Sequence, residues 1–260
     1  MGVFFVDEFL KTVFIVCPLV FLAGFVDSVA GGGGIISLPA YLMAGLPAHL
    51  AAGTNKVVNG CGTLMATAKY FRNGKVRVRA AVAAALGALA GAAAGAQLAT
   101  MIPEAALKTI MVVALPCVAV FLVVKRDFGT DDATPELDPR RETVVSALIG
   151  LIVGCYDGLV GPGTGTFMIL CFTGFLSMDL LTASGCSKAA NLASNVSSAA
   201  VWILHGSVFW KLAVPAIVCN ILGAWFGSQY AIRGGSKKIR GMMFVVLGLL
   251  FLKMVYDLFA

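Results

Sequence analysis

Long stretches without charge dominate this chain and most constrain its fold. Residues 12–55 and 143–178 hold one charged residue each, Asp27 and Asp157, and residues 80–103 hold none. A transmembrane helix needs about 20 consecutive apolar residues. Only 12% of the 260 residues are charged, against about 25% in soluble domains. We therefore predict an all-α polytopic membrane protein with no cofactor, and not an enzyme, a nucleic-acid-binding domain or a disordered chain.

The two halves of the chain resemble each other on either side of a polar segment. That segment, residues 125–142, holds six acids and four bases. Gly53-Thr54-Asn55-Lys56 recurs 132 residues later as Gly185-Cys186-Ser187-Lys188. The shared register predicts a tandem duplication: a first transmembrane repeat at 1–124, a charged cytoplasmic linker at 125–142 and a second repeat at 143–260. Each repeat is expected to contain about four to five helical segments.

Basic residues are distributed differently in the corresponding loops of the two halves. Residues 69–79 hold five bases and their counterpart, 205–211, holds one; residues 233–240 hold four and their counterpart, 101–108, holds one. Loops rich in Lys and Arg face the cytoplasm, so equivalent loops should lie on opposite sides of the cytoplasmic membrane. The pattern favours inverted repeats with both termini outside. The alternative is parallel repeats whose charge bias is accidental.

A glycine-rich break interrupts each half shortly after the single acid of its long apolar run, at residues 31–34 and 161–166. Broken backbone at membrane depth occurs where it lines a cavity or is buried in protein, and paired breaks indicate a transporter's midplane site. The helix that follows each break offers free N–H groups to an anion. The alternative is that glycine only permits close helix packing, which fits the four-residue spacing of Gly87, Gly91 and Gly95 better.

Inverted repeats need an odd number of crossings in each half. Residues 12–41 must then cross twice or form two short helices that enter and leave on one face. The ten residues 35–44 would span about 15 Å as a helix, half of a bilayer, which favours a re-entrant half-helix.

Two lysines and two acids are the charged candidates for the site. Lys56 and Lys188 are each expected to begin a helix beside small polar residues, facing inward, because an ionisable residue inside a membrane domain is usually functional. The alternative is that each lysine extends to the lipid headgroups. Asp27 and Asp157 either carry a coupling proton or cap the turn that follows them.

The candidate residues form one predicted substrate site with no metal. The predicted substrate-binding residues are Gly31, Gly33, Gly34, Thr54, Asn55, Lys56, Asn59, Gly161, Gly163, Thr164, Thr166, Ser187, Lys188, Asn191 and Asn195. His49 and His205 lack matching metal ligands, and the seven cysteines are expected to pack as unpaired small apolar residues. The expected partners are a small anion and the lipid bilayer, with a homo-oligomer also compatible and nucleic acid excluded.

These motifs resemble the TauE/SafE sulfite-exporter family of membrane permeases. The resemblance rests on residues 24–34, Gly53-Thr54-Asn55-Lys56 and their copies at 154–166 and 185–188. It implies export or uptake of small sulfur-containing oxyanions such as sulfite, thiosulfate, sulfoacetate or related sulfonates, without an ATPase. It also implies that the two breaks and the two lysine-bearing segments form the site. An anion-selective channel is the alternative function, and a divalent-cation permease is a weaker one because no His, Met and Cys cluster is present.

Overall fold

The computed structural model describes residues 2–110 and 137–259, with side chains described for 9–110 and 137–245. Within these ranges the protein is helical and contains no strand, as the sequence predicts. The helices are α1 (Gly2–Ala30), α2 (Gly34–Met43), α3 (Ala48–Arg72), α4 (Val78–Met101), α5 (Pro139–Leu159), α6 (Thr164–Leu176), α7 (Leu180–Leu204) and α8 (Trp210–Phe259). Residues 104–110 are also helical, and α8 is interrupted at Gly235, where φ is 62°. Most of the predicted linker lies outside the described residues.

Four of these helices are long and apolar enough to cross a membrane. Their candidate spans are Phe9–Ala30, Val78–Met101, Pro139–Leu159 and Trp210–Val245. Helices α3 and α7 have 25 residues each but carry many buried polar side chains, which fits a position in the interior of the protein. Helices α2 and α6 are short, at 10 and 13 residues.

The α1–α2 hairpin bears on the two alternatives for residues 12–41. Helix α1 contains a span of 22 residues, about 33 Å at 1.5 Å per residue, so it is not one of two short helices. Helix α2 has the length of a half-helix, and its re-entrant placement stays a prediction.

The helices form two bundles that each take one helix from the other half of the chain. The first bundle consists of α1, α2, α3 and α8, and the second consists of α4, α5, α6 and α7. The most extensive packing joins α4 to α5 and α1 to α8. Helices α3 and α7 also pack against each other and thereby join the two bundles. The halves are therefore intertwined through the exchange of α4 and α8.

Glycines allow the exchanged helices to lie close to their partners. A Cβ atom added at Gly91 of α4 would lie 2.1 Å from the Leu151 carbonyl oxygen of α5. One added at Gly223 of α8, the position corresponding to Gly91, would lie 2.0 Å from the Phe21 carbonyl oxygen of α1. Both distances are impossible for real atoms, so these positions require glycine and permit backbone-to-backbone packing.

Corresponding residues of the two halves make reciprocal contacts. Gly53 of α3 lies against the backbone carbonyl of Ser207, just after α7 ends, and Gly185 of α7 lies against the carbonyl of Lys75, just after α3 ends. The beginning of each helix is therefore beside the end of the other. Helices α3 and α7, which occupy corresponding places in the sequence, run antiparallel.

The segments rich in basic residues lie at one end of the molecule. Arg77, before α4, forms an ion pair of 2.7 Å from its Nε to Oε1 of Glu142, at the start of α5. Lys69, near the end of α3, donates from Nζ to Oε1 of Gln229 over 3.0 Å, one turn before Arg233. Together with the Gly185–Lys75 contact, these bonds place residues 69–79 beside the start of α5, the start of α7 and the segment that precedes residues 233–240.

Candidate functional site

The two glycine-rich breaks cross each other between the bundles. A Cβ atom added at Gly165, in the first turn of α6, would lie 2.5 Å from the Cα of Gly31. The backbone N–H of Thr166 donates to the Gly31 carbonyl over 3.2 Å, and its hydroxyl donates to the Ala30 carbonyl over 2.8 Å. Gly31 itself has a φ of 82°, which favours glycine. The first break is thus held directly against the start of α6.

Two buried ion pairs join the bundles beside this crossing. Nζ of Lys56 on α3 lies 2.7 Å from Oδ2 of Asp157 on α5. Nζ of Lys188 on α7 lies 2.9 Å from Oδ2 of Asp27 on α1. Each pair therefore combines a lysine from one half of the chain with an aspartate from the other.

The two lysines lie inside their helices, so the expectation that each begins a helix is wrong. Helix α3 begins eight residues before Lys56, after Pro47. Helix α7 begins eight residues before Lys188, where the side chain of Asp179 accepts the N–H groups of the first turn. The lysine side chains are 6% and 0% exposed, which excludes the alternative that they extend to the headgroups.

A small polar cavity lies beside the crossing. Most of the predicted site residues line it, together with Gly165, which sequence reasoning missed. The lining residues are Asp27, Gly31, Gly34, Asn55, Lys56, Asn59, Asp157, Gly161, Thr164, Gly165, Asn191 and Asn195. Residues from six helices and both breaks thus converge on one small space.

The other predicted residues lie behind this lining and hold it in place. The backbone N–H of Phe209 donates to Oγ1 of Thr54 over 2.9 Å, and the hydroxyl of Ser187 donates to the Gly165 carbonyl over 3.0 Å. Lys188 bonds to Asp27, and Thr166 bonds to the first break as described above. Gly33 and Gly163 belong to the breaks without lining the cavity, and Gly163 has a φ of 78°.

Amide side chains form the polar wall of the cavity on α3 and α7. Oδ1 of Asn55 accepts from Nδ2 of Asn59 over 3.1 Å and from the Ser37 hydroxyl over 2.6 Å. Oδ1 of Asn191 accepts from Nδ2 of Asn195 over 3.0 Å. Each amide pair is one turn apart and lies within one or two turns of the lysine on the same helix.

Three hydrogen-bonding residues around the site were missed by sequence reasoning. Ser37 bonds to Asn55, Ser194 donates to Oδ2 of Asp157, and Nδ2 of Asn220 on α8 donates to Oδ1 of Asn59 over 3.2 Å. Ser194 stands three residues after Asn191, so helical spacing could have identified it. Asn220 has no such signal, because only the exchange of α8 brings it to this place.

The two aspartates are bonded differently. Oδ1 of Asp27 accepts the backbone N–H of Gly33 over 3.4 Å, so Asp27 caps the first break as one of the two alternatives expected. Asp157 is bonded to Lys56 and Ser194, and no bond from it to the second break is seen in the described residues. The coupling role of both acids stays a prediction.

The candidate metal ligands and the cysteines can be located in the part of the chain that the structure describes. It contains no group of three or more His, Cys, Asp or Glu side chains able to hold a metal ion. Six cysteines there are free thiols: Cys17, Cys61, Cys155, Cys171, Cys186 and Cys219. Cys117 lies outside the described residues.

Long apolar helices, crossed backbone breaks and a buried charged cavity together define a polytopic membrane transporter. A family model described as "Sulfite exporter TauE/SafE" matches residues 16–254, and the chain belongs to this family.

Several curated relatives support this assignment over nearly the whole chain. It is 37% identical to a probable membrane transporter protein of a Sinorhizobium species, over 91% of this chain and 90% of the relative. It is 33% identical to one of Haemophilus influenzae, over 91% and 92%, and 31% identical to YfcA of Escherichia coli, over 96% and 95%. No solved structure gives a significant match. The protein is therefore a multi-pass membrane transporter of the TauE/SafE family.

Proposed function

We propose that the protein is a secondary transporter for small sulfur-containing oxyanions such as sulfite, thiosulfate or organosulfonates. The observation that carries this proposal is the pair of buried lysines beside one polar cavity, each bonded to an aspartate of the other half. The named family also points to sulfite. Because the cavity opens between two bundles, relative movement of the bundles would change its access.

The cavity supplies the groups that an oxyanion needs when it leaves water. Burying an anion without compensation is costly, so at least one fixed cation should lie nearby. Lys56 lines the cavity. Lys188 lies behind the lining, where it is paired with the carboxylate of Asp27. The amides of Asn55, Asn59 and Asn191 add neutral hydrogen-bonding groups, which replace part of the hydration shell.

We also propose that the two halves are inverted repeats in the cytoplasmic membrane, with the linker inside and both termini outside. Two observations support this topology: α3 and α7 run antiparallel, and the basic segments lie at one end of the molecule. An excess of Lys and Arg marks the cytoplasmic side. The expected surroundings are the lipid bilayer and, for transport, a small anion.

The test is uptake into proteoliposomes that contain the purified protein. Radiolabelled sulfite, thiosulfate, sulfate and an alkyl sulfonate are offered separately, with chloride as the control anion. We expect saturable uptake of one or more sulfur oxyanions that is accelerated by the same anion on the opposite side. Uptake of chloride alone would contradict the proposed substrate class.

The alternatives give different signals in the same membranes. An anion-selective channel would produce unitary currents and no trans-stimulation. A divalent-cation permease would take up more Mn²⁺ or Zn²⁺ than control liposomes that contain no protein.

A further inference from the structure

The charges at the cavity cancel, so an entering anion finds a neutral site. The four ionised side chains there are Asp27 of α1, Lys56 of α3, Asp157 of α5 and Lys188 of α7. Helices α2 and α6 contribute glycine and threonine to the lining. The Tyr156 hydroxyl, beside Asp157 on α5, donates to the Pro162 carbonyl over 2.7 Å, and the Tyr70 hydroxyl of α3 donates to the Ser28 carbonyl over 3.1 Å. Two ammonium groups therefore face two carboxylates, and an anion has to compete with a carboxylate for its cation.

That competition leaves a buried carboxylate without its partner. The Asp157 side chain is 4% exposed, so water cannot replace Lys56 around it. A buried carboxylate beside a second anion is strongly disfavoured in its charged form. Uptake of a proton from the aqueous phase removes the charge.

Asp157 is well placed to exist in both protonation states. In the ionised state it accepts from Lys56 and from the hydroxyl of Ser194. A hydroxyl both donates and accepts hydrogen bonds, so a protonated Asp157 can donate to Ser194 after Lys56 has turned to the anion. Asp27, by contrast, also accepts the backbone N–H of Gly33 in the first break, and such a bond is stronger to a carboxylate than to a neutral carboxyl group.

We infer that binding of an anion to Lys56 is coupled to uptake of one proton by Asp157, so that transport is anion–proton symport. The inference rests on the proposed function and names the coupling ion of that site. Asp27 is expected to remain ionised as the cap of the first break. Each anion that crosses would bring one proton in the same direction.

The test counts protons as an anion binds to the purified protein in detergent. Thiosulfate is the probe, because it does not itself take up a proton near neutral pH. A pH-indicator dye in weakly buffered solution reports proton uptake, and radiolabelled thiosulfate reports binding in the same sample. We expect about one proton per anion bound in the wild-type protein, with affinity that rises as the pH falls.

Two variants locate the proton. Asp157→Asn should bind thiosulfate without proton uptake and with affinity nearly independent of pH, whereas Asp27→Asn should still take up about one proton per anion. Proton uptake that is lost in Asp27→Asn and kept in Asp157→Asn would overturn the assignment. If either variant fails to fold, the wild-type count still decides whether anion binding is coupled to proton uptake.

Failure of this inference can be separated from failure of the proposed function. Thiosulfate binding without proton uptake by the wild-type protein would overturn the coupling and leave anion transport intact. Absence of binding by every sulfur oxyanion in the panel would overturn both. In proteoliposomes, an acidic exterior should drive thiosulfate accumulation in the wild type, and accumulation unaffected by the pH gradient would again contradict symport.

Discussion

Nζ of Lys56 lies 2.7 Å from Oδ2 of Asp157 and joins the first bundle to the second. The pair of Lys188 and Asp27 joins the same two bundles, but here the lysine belongs to the second bundle and the aspartate to the first. Movement of one bundle against the other would therefore lengthen both pairs. This relationship links the charge state of the site to the conformational change that a transporter needs, and an anion that replaces a carboxylate would ease that separation.

The crossing of the two breaks should not tolerate a methyl group. We expect Gly165→Ala to abolish transport or to lower the free energy of unfolding by about 2 kcal/mol, because its Cβ would lie 2.5 Å from the Cα of Gly31. Gly174→Ala is the matched control, since Gly174 lies in the same helix with nothing within 4 Å. Thermal unfolding in detergent and uptake into proteoliposomes measure the two effects. Equal behaviour of the two variants would contradict the close crossing.

The ion pair of Arg77 and Glu142 should stabilise the basic end of the molecule. The Glu142 side chain is 2% exposed, so Arg77→Ala would leave a buried carboxylate without its cation. We expect a loss of about 3 kcal/mol in the free energy of unfolding, measured by thermal or denaturant unfolding in detergent. Arg79→Ala, at an exposed position two residues later, should change stability little. A similar melting temperature in both variants would show that the pair contributes nothing.

Cysteine labelling tests the topology. In a background without native cysteines, Asn73→Cys and Lys238→Cys should react only from the cytoplasmic side, and His205→Cys only from the outside. All three positions are exposed, whereas Ser207, two residues after His205, is 8% exposed. Membrane-impermeant maleimide on intact cells and on inverted vesicles gives the two readings. Reaction of His205→Cys and Lys238→Cys from the same side would refute the inverted arrangement.

Much of the site could be predicted from isolated features of the sequence. Asp27 and Asp157 are the single charges in long apolar runs, and the glycine-rich breaks follow them directly. Lys56 and Lys188 recur in the same local context. Charge or broken backbone in an apolar environment is costly unless a cavity or a partner compensates it, so these residues indicate a site even without a fold.

The pairing of these residues could not be predicted in the same way. Helical spacing shows which side chains share a face, but not which distant helix that face meets. Lys56 meets Asp157 because the two bundles face each other along α3 and α7, and Asn220 reaches Asn59 because α8 packs in the first bundle. The sequence pattern also places the starts of α3 and α7 too late. These helices begin directly after Pro47 and Asp179, about two turns before the long apolar runs.

Replacing the lysines by arginine tests what kind of cation the cavity needs. We expect Lys56→Arg and Lys188→Arg to recover only part of the anion affinity lost in the alanine variants, because a planar guanidinium does not replace a compact ammonium. Equilibrium binding of radiolabelled thiosulfate measures this. Full recovery in both variants would indicate that charge alone, without the ammonium geometry, determines binding.

The most direct test of the account is the affinity of the purified protein for sulfite and thiosulfate when each buried lysine is removed. Lys56→Ala and Lys188→Ala should each weaken binding about tenfold or more, since a hydrogen bond to a charged group contributes about 1.5–3 kcal/mol. Lys211→Ala, at an exposed position, should bind as the wild type does. Unchanged affinity in both single variants and in the double variant would contradict a site built on Lys56 and Lys188.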